Sequence, residues 1–223
     1  MPHTIAIDGP SGSGKSTAAK IVAERLNFNY VDTGAMYRAV TLSCLRNKLQ
    51  EKDEIAKIAK NIEINFGRIK DDGSQQIYLN NENITERIRS QDIDQNVSDI
   101  ASIPIVREIL LNKQRKLAQK KNIIMDGRDI GTRVLPDADL KIFLTASLEV
   151  RTNRRFKELV NKGKEVSRKT VKKNLAARDK RDSKRNHSPL AKADDAVEIN
   201  SDNLSPEQVA ERIIELFREE VKN

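Results

Sequence analysis

A chain of 223 residues with 37% hydrophobic and 4% aromatic residues and one cysteine is long enough to bury a core without disulfide or metal staples, and Cys44 excludes an internal disulfide. With an N-terminus that enters an apolar strand within a few residues, and no apolar run near the roughly 18 residues of a membrane span, the expected setting is cytoplasmic, with no membrane partner. The formal charge of +8 sits in one segment: Arg151 to Arg185 carries 15 Lys/Arg against 4 Asp/Glu while the rest carries 26 against 29, and without zinc-ligand sets, a basic zipper or stacking aromatics this segment predicts no nucleic-acid partner.

The first predicted element is a strand, His3 to Asp8. Directly after it, Gly9 to Thr17 read Gly-Pro-Ser-Gly-Ser-Gly-Lys-Ser-Thr, a complete GxxxxGK[ST] phosphate loop. The glycines let the backbone curl until several N–H groups face phosphate oxygens. Lys15 adds a charge for the β and γ phosphates, and Ser16 adds a hydroxyl for Mg²⁺. The helix that follows, Gly14 to Leu26, presents the positive end of its dipole. A nucleoside triphosphate is the expected ligand.

A strand at Asn29 to Asp32 and a helix from Gly34 to about Asn47 continue a βαβα pattern. Ile62 to Phe66 and Gln76 to Leu79 flank Asp71-Asp72-Gly73-Ser74 and read as a hairpin, which predicts an inserted subdomain at 61–100 between core segments 1–60 and 101–223. A helix with Pro104 in its first turn runs to about Lys120. Strands Asn122 to Asp126, Leu140 to Thr145 and Ala196 to Ile199 then combine with helices near 147–162, 167–181 and 205–221. The fold class is therefore α/β, a parallel sheet covered by helices on both faces.

Asp126 ends its apolar strand where a carboxylate reaches a metal or its bound water beside a phosphate loop. Gly127-Arg128-Asp129 follow at the carboxyl edge of the sheet, where open α/β folds bind ligands. Arginines suit phosphoryl transfer, whose transition state spreads charge over oxygens. Arg38 lies on the helix after Asp32-Thr33-Gly34. Arg178, Asp182 and Arg185 are spaced i, i+4, i+7, which would place them on one helix face.

Taken together, the phosphate loop, Asp32-Thr33-Gly34-Ala35-Met36-Tyr37-Arg38, Asp126-Gly127-Arg128-Asp129-Ile130-Gly131-Thr132, the Arg178 to Arg185 cluster, Ser188-Pro189-Leu190 and Ala193-Asp194-Asp195-Ala196 closely resemble the bacterial cytidylate (CMP) kinases, nucleoside monophosphate kinases of the phosphate-loop class. Order and spacing match along nearly the whole chain. The resemblance implies transfer of the ATP γ-phosphate to CMP or dCMP, giving CDP or dCDP in pyrimidine nucleotide metabolism, with Mg²⁺ and a monomeric enzyme. The acceptor is already an oxyanion, so no base is required. Catalysis is assigned to positioning and charge neutralisation by Lys15, Arg38, Arg128 and Asp126.

By the same resemblance, ATP is held by Gly9, Pro10, Ser11, Gly12, Ser13, Gly14, Lys15, Ser16 and Thr17 with Arg154 and Arg155 as fingers, and Mg²⁺ by Ser16 and Asp126, directly or through water. The CMP phosphate falls to Ser11, Arg38 and Arg128 with Thr33 nearby, the ribose to Arg178 and Asp182, and the cytosine to Ser98, Arg107, Asp129 and Arg185. The basic helices at 151–185 become a lid. Two departures are mild: Ser16 stands where some members carry Gly, and Thr33 where others carry Ser. A phosphate-loop kinase for UMP, AMP or shikimate would share the fold but lack the Asp129/Arg185 pair. A nucleotide-gated regulatory or RNA-binding switch would use the basic segment as its surface, although Asn161-Lys162-Gly163-Lys164 lacks the Asp of a guanine-reading motif.

Overall fold

The structure is a computed structural model that describes residues 2–70, 72–185 and 187–222; Asp71 of the predicted turn lies outside the described residues. The chain opens with β1 (Thr4–Asp8), α1 (Lys15–Leu26), β2 (Asn29–Asp32) and α2 (Thr33–Arg46), the βαβα start expected. Next comes α3 (Lys52–Asn61), which the sequence reading missed. Its apolar stripe is only Ile55, Ile58 and Ala59 among charged residues, so the helical period is short and easily overlooked. An antiparallel sheet follows, made of β3 (Ile64–Ile69), β4 (Gln75–Leu79) and β5 (Glu82–Asn83). The hairpin was expected, with β3 running past Phe66. β5 was not, because two exposed polar residues carry no alternation to read.

A 3₁₀ turn at Arg87–Arg89 leads to α4 (Gln91–Ile100) and α5 (Pro104–Ala118), then β6 (Ile123–Gly127), a π-helical turn at Ile130–Val134, β7 (Leu140–Thr145), α6 (Leu148–Asn161), α7 (Arg168–Ser183), β8 (Val197–Asn200) and α8 (Pro206–Glu220). Among the described residues the main sheet has five parallel strands in the order β2-β6-β1-β7-β8. Its central strand β1 is paired on both sides, with Ile5 opposite Ile124 and Leu140.

Alternation along the buried strands divides the core. Ile5, Ile7, Ile124, Ile142 and Leu144 pack with Ala19 and Val22 of α1 and Ile213 and Phe217 of α8 on one face. Ala6, Val31, Ile123 and Met125 pack with Met36 and Val40 of α2 and Leu110 of α5 on the other. Each large aliphatic side chain removed from water here contributes about 1.5–3 kcal/mol. Ile64, Ile77, Leu79, Ile84 and Ile93 of the inserted region join that second cluster, so the antiparallel sheet and α4 share their core with α2 and α5. No helix among the described residues is long and apolar enough to cross a membrane.

This topology positions the site. β1 and β6 are neighbours, and their carboxyl ends release the two loops that matter, Gly9–Gly14 and Arg128–Val134. Asp8 binds one to the other: its carboxylate accepts from the backbone N–H of Ile130 (2.8 Å) and of Gly131 (2.7 Å).

Candidate active site

Two features force the phosphate loop into its shape. Gly9 has φ +149°, and a Cβ there would stand 2.0 Å from the Leu144 carbonyl oxygen, so β7 leaves room for glycine alone. Gly14, at φ 95°, is the N-cap of α1 and has no side chain with which to cap it. The first N–H groups of α1 are therefore left to an anion, and no acidic residue in the first turn competes for them. Lys15 is buried with its ammonium folded onto the loop, donating to the Pro10 carbonyl at 2.7 Å. Burial, and next the Arg128 guanidinium, push its pKa down to about 7.

Ser16 Oγ donates to Asp126 Oδ2 at 2.9 Å, and Tyr30 Oη donates to Asp126 Oδ1 at 2.7 Å. Burial, with the nearby Asp32 carboxylate, raises the Asp126 pKa. Thr33 Oγ1 donates to the Asp126 carbonyl at 2.7 Å, which fixes the start of α2 against the end of β6. A hydroxyl and a carboxylate in contact are the hard oxygen donors that Mg²⁺ takes, and no group of three or more His, Cys, Asp or Glu among the described residues forms a metal cage.

Two clefts meet at Lys15 and Ser16. The first, about 640 Å³, is lined by all the residues assigned to the CMP side: Ser11, Thr33, Arg38, Ser98, Arg107, Arg128, Asp129, Arg178, Asp182 and Arg185. The second, about 790 Å³, runs along the phosphate loop from Gly12 to Thr17, past Arg154 and Arg155, to Ser201, Leu204, Pro206 and Val209. Gly9 and Pro10 line neither cleft; Gly9 packs on Leu144 and Pro10 receives the Lys15 ammonium.

In the first cleft Arg107 Nη2 lies 2.5 Å from Asp129 Oδ2, both residues being buried. The Arg107 guanidinium sits 5.4 Å from the centre of the Tyr37 ring, and among the described residues its Nε finds no partner. Ser98 is half-buried on α4. Asp182 gathers arginines: Arg128 Nε at 2.8 Å, Arg185 Nη2 at 2.5 Å and Arg178 Nε at 4.0 Å. The predicted single helix face is corrected here. α7 ends at Ser183 with Lys184 as its cap, so Arg185 lies beyond the helix and reaches back to Asp182.

The two expected fingers differ. Arg154 is tied down, with Nη1 at 2.9 Å from Ser201 Oγ and Nη2 at 2.6 Å from the Ser201 carbonyl. Arg155 pairs with Glu158 at 2.8 Å and lines both clefts. Sequence reasoning missed Asp8, Tyr30, Tyr37, Asp94 and Arg151. Arg151 donates to Asp179 Oδ2 (2.6 Å), the Ser11 carbonyl (3.2 Å) and the Ala146 carbonyl (2.8 Å), joining α6 and α7 to the phosphate loop. For Asp8 a signal existed, a carboxylate at the strand end just before the loop. Arg151 was indistinguishable within the basic segment.

The family model for cytidylate kinase matches residues 5–219. The chain belongs to the cytidylate kinase family. It is 50% identical over 220 residues to a cytidylate kinase of Caldanaerobacter subterraneus subsp. tengcongensis, covering 98% of this chain and 96% of the relative. It is 49% identical to one from Listeria welshimeri, covering 98% and 97%. Among solved structures, a gluconokinase from Sinorhizobium meliloti superposes with a TM-score of 0.50 at 13% identity, covering 99% and 95%, a likeness of fold alone. The cytidylate kinase matches span almost the entire chain, the antiparallel insert and the basic helices included.

Proposed function

We propose that the protein transfers the γ-phosphoryl group of ATP to CMP or dCMP, giving ADP and CDP or dCDP, as a cytoplasmic monomer using Mg²⁺. The observation that carries this reading is the meeting of two clefts at Lys15 and Ser16, one running along the phosphate loop and the other containing the buried Arg107–Asp129 pair.

The donor triphosphate lies along Gly12 to Thr17 on the N-terminus of α1, with its base toward Leu204 and Pro206 and with Arg154 and Arg155 over the phosphates. Lys15 swings from the Pro10 carbonyl to the β and γ oxygens, and a phosphate there favours the charged ammonium that burial disfavours. Ser16 and Asp126 would hold Mg²⁺, which neutralises charge on the phosphates when bound. Ser11, Arg38 and Arg128 take the acceptor phosphate beside Thr33, and Arg178 and Asp182 take the ribose. Asp129 accepts from the cytosine amino group, while Ser98, Arg107 and Arg185 serve its remaining polar edge. The Arg107 Nε that lacks a partner is the kind of donor a pyrimidine carbonyl or ring nitrogen satisfies.

In this reading 61–100 is the acceptor-binding insert and 151–185 the lid. The attacking oxygen is anionic, so alignment and charge stabilisation carry the rate, and closure of the lid keeps water, a rival acceptor, out. The test is ADP release with CMP, dCMP, UMP, AMP and shikimate as separate acceptors, with Asp129→Asn in parallel. Turnover selective for CMP and dCMP and weakened in the variant is expected. Equal turnover with UMP in both proteins overturns the assignment of the base pocket.

A further inference from the structure

One carboxylate stands among the arginines of the acceptor cleft without a place in the reaction just described. Asp94, on α4 of the insert, has Oδ1 2.6 Å from Arg38 Nη2 on α2 and Oδ2 3.9 Å from Arg155 Nη2 on α6. Arg38 has only one other hydrogen bond, from Nη1 to the Ile88 carbonyl at 2.9 Å, among those of the described residues. Both Asp94 and Arg38 line the cleft, as do Arg128 and Arg178. Their side chains are 30% and 18% exposed, so water and small anions reach the pair.

A structural anchor for Arg38 needs no negative charge at this point, because the Ile88 carbonyl already orients the guanidinium. An anion on the cleft-facing side does something else. It meets the same donors that a phosphate oxygen would meet, in the same charge-assisted geometry. Asp94 also stands 3.9 Å from the lid arginine Arg155, whose nearer partner is Glu158 at 2.8 Å, so residues of the core, the insert and the lid come together around this carboxylate.

We propose that Asp94 sets the affinity of the acceptor site, acting as an internal anion that occupies Arg38 until the phosphate of an incoming nucleotide displaces it. This rests on the reading that Arg38 holds the acceptor phosphate. A nucleoside monophosphate, which also gains ribose and base contacts, displaces the carboxylate. Inorganic phosphate alone does so poorly. Asp94 thereby keeps free phosphate from filling the acceptor site, and it reclaims Arg38 when product leaves.

The experiment measures KM for CMP and ATP, and inhibition by inorganic phosphate against CMP, in the parent, Asp94→Asn, Arg38→Ala and the double variant. Thermal melting and circular dichroism establish that each is folded, and Asp94→Ser serves as a second removal of the charge. A partly exposed ion pair is worth at most about a fivefold change, so KM for CMP is expected to fall roughly twofold to fivefold in Asp94→Asn. KM for ATP stays within about twofold, and inorganic phosphate becomes a stronger competitor by a similar factor. In the double variant the Asp94 change adds nothing to Arg38→Ala. An unchanged or raised KM for CMP in Asp94→Asn overturns the proposal. If Arg38→Ala leaves KM for CMP unaltered, the phosphate role of Arg38 itself is lost, a failure recognisably different from that of Asp94.

Discussion

The two sides of the cleft are built in opposite ways. The phosphate-binding part of the proposed donor side is a contiguous loop whose residues Gly12 to Thr17 line the cleft, and in this reading most of its work falls to backbone N–H groups shaped by Gly9 and Gly14, with Lys15 as its buried charge. The proposed acceptor side is a cleft lined by Arg38 on α2, Ser98 on α4, Arg107 on α5, Asp129 after β6 and Arg185 beyond α7. Here the backbone cradle is one continuous loop that runs into the start of α1. A pocket made of side chains need not be continuous, and its parts are recruited from wherever the chain passes.

That contrast makes its strongest demand on Lys15. Lys15→Ala should lower turnover roughly 10³-fold, the scale of removing a principal charge from a transition state, while circular dichroism remains that of the parent. Near-normal turnover would mean that the backbone cradle carries the donor side without the charge assigned to Lys15. On the acceptor side the load is shared, so Asp129→Asn should raise KM for CMP roughly 10-fold to 100-fold, with KM for ATP within about twofold. An effect confined to ATP would erase the division between the two sides.

Tyr30 tests the seam between them. Tyr30→Phe keeps the buried ring but removes the bond to Asp126 Oδ1, a loss of about 1 kcal/mol. Turnover should fall roughly fivefold and the Mg²⁺ requirement should rise, with KM for CMP unmoved. A rise in KM for CMP alone would place Tyr30 with the acceptor side.

The smallest effect concerns Asp8, whose pKa burial raises to about 6 from 3.8. The folded value lies above the unfolded one, so the stabilisation is complete below pH 3.8 and is lost as pH rises through 6. Moving from pH 7 to pH 5 should therefore stabilise the unliganded protein by about 1 kcal/mol through this group. Melting at the two pH values, parent against Asp8→Asn, reads the difference; an identical pH dependence in the two proteins would show that Asp8 is not its source.

The sequence was most legible where local chemistry decided the structure. The strand-loop-helix from His3 to Leu26, the buried strands and the helices with clear amphipathic stripes could be read from the residues alone. The acceptor pocket could not. Ser98 and Arg107 carry no local signal, because their positions follow from how α4 and α5 pack against α2, and they were reached only through the family resemblance. Asp94, Tyr30 and Arg151 were missed for the same reason. An aspartate, a tyrosine and an arginine are common residues, and what distinguishes these three is the neighbour each meets across the fold. α3 and β5 failed differently, one through a sparse apolar stripe and the other through being two residues long.

Arg151 has a mechanical consequence. It bonds the Ser11 carbonyl and Asp179 together near the start of α6, so a lid made of the α6–α7 pair, as proposed, would have its fulcrum fastened to the phosphate loop. From Arg151 to Asn161 the helix spans about 15 Å. A rigid rotation of about 20° around that point sweeps the far tip through about 5 Å at this helical rise, while Arg151 itself scarcely moves against the loop. In such a closure the free end would take the travel and the pivot would keep its register with the phosphate loop.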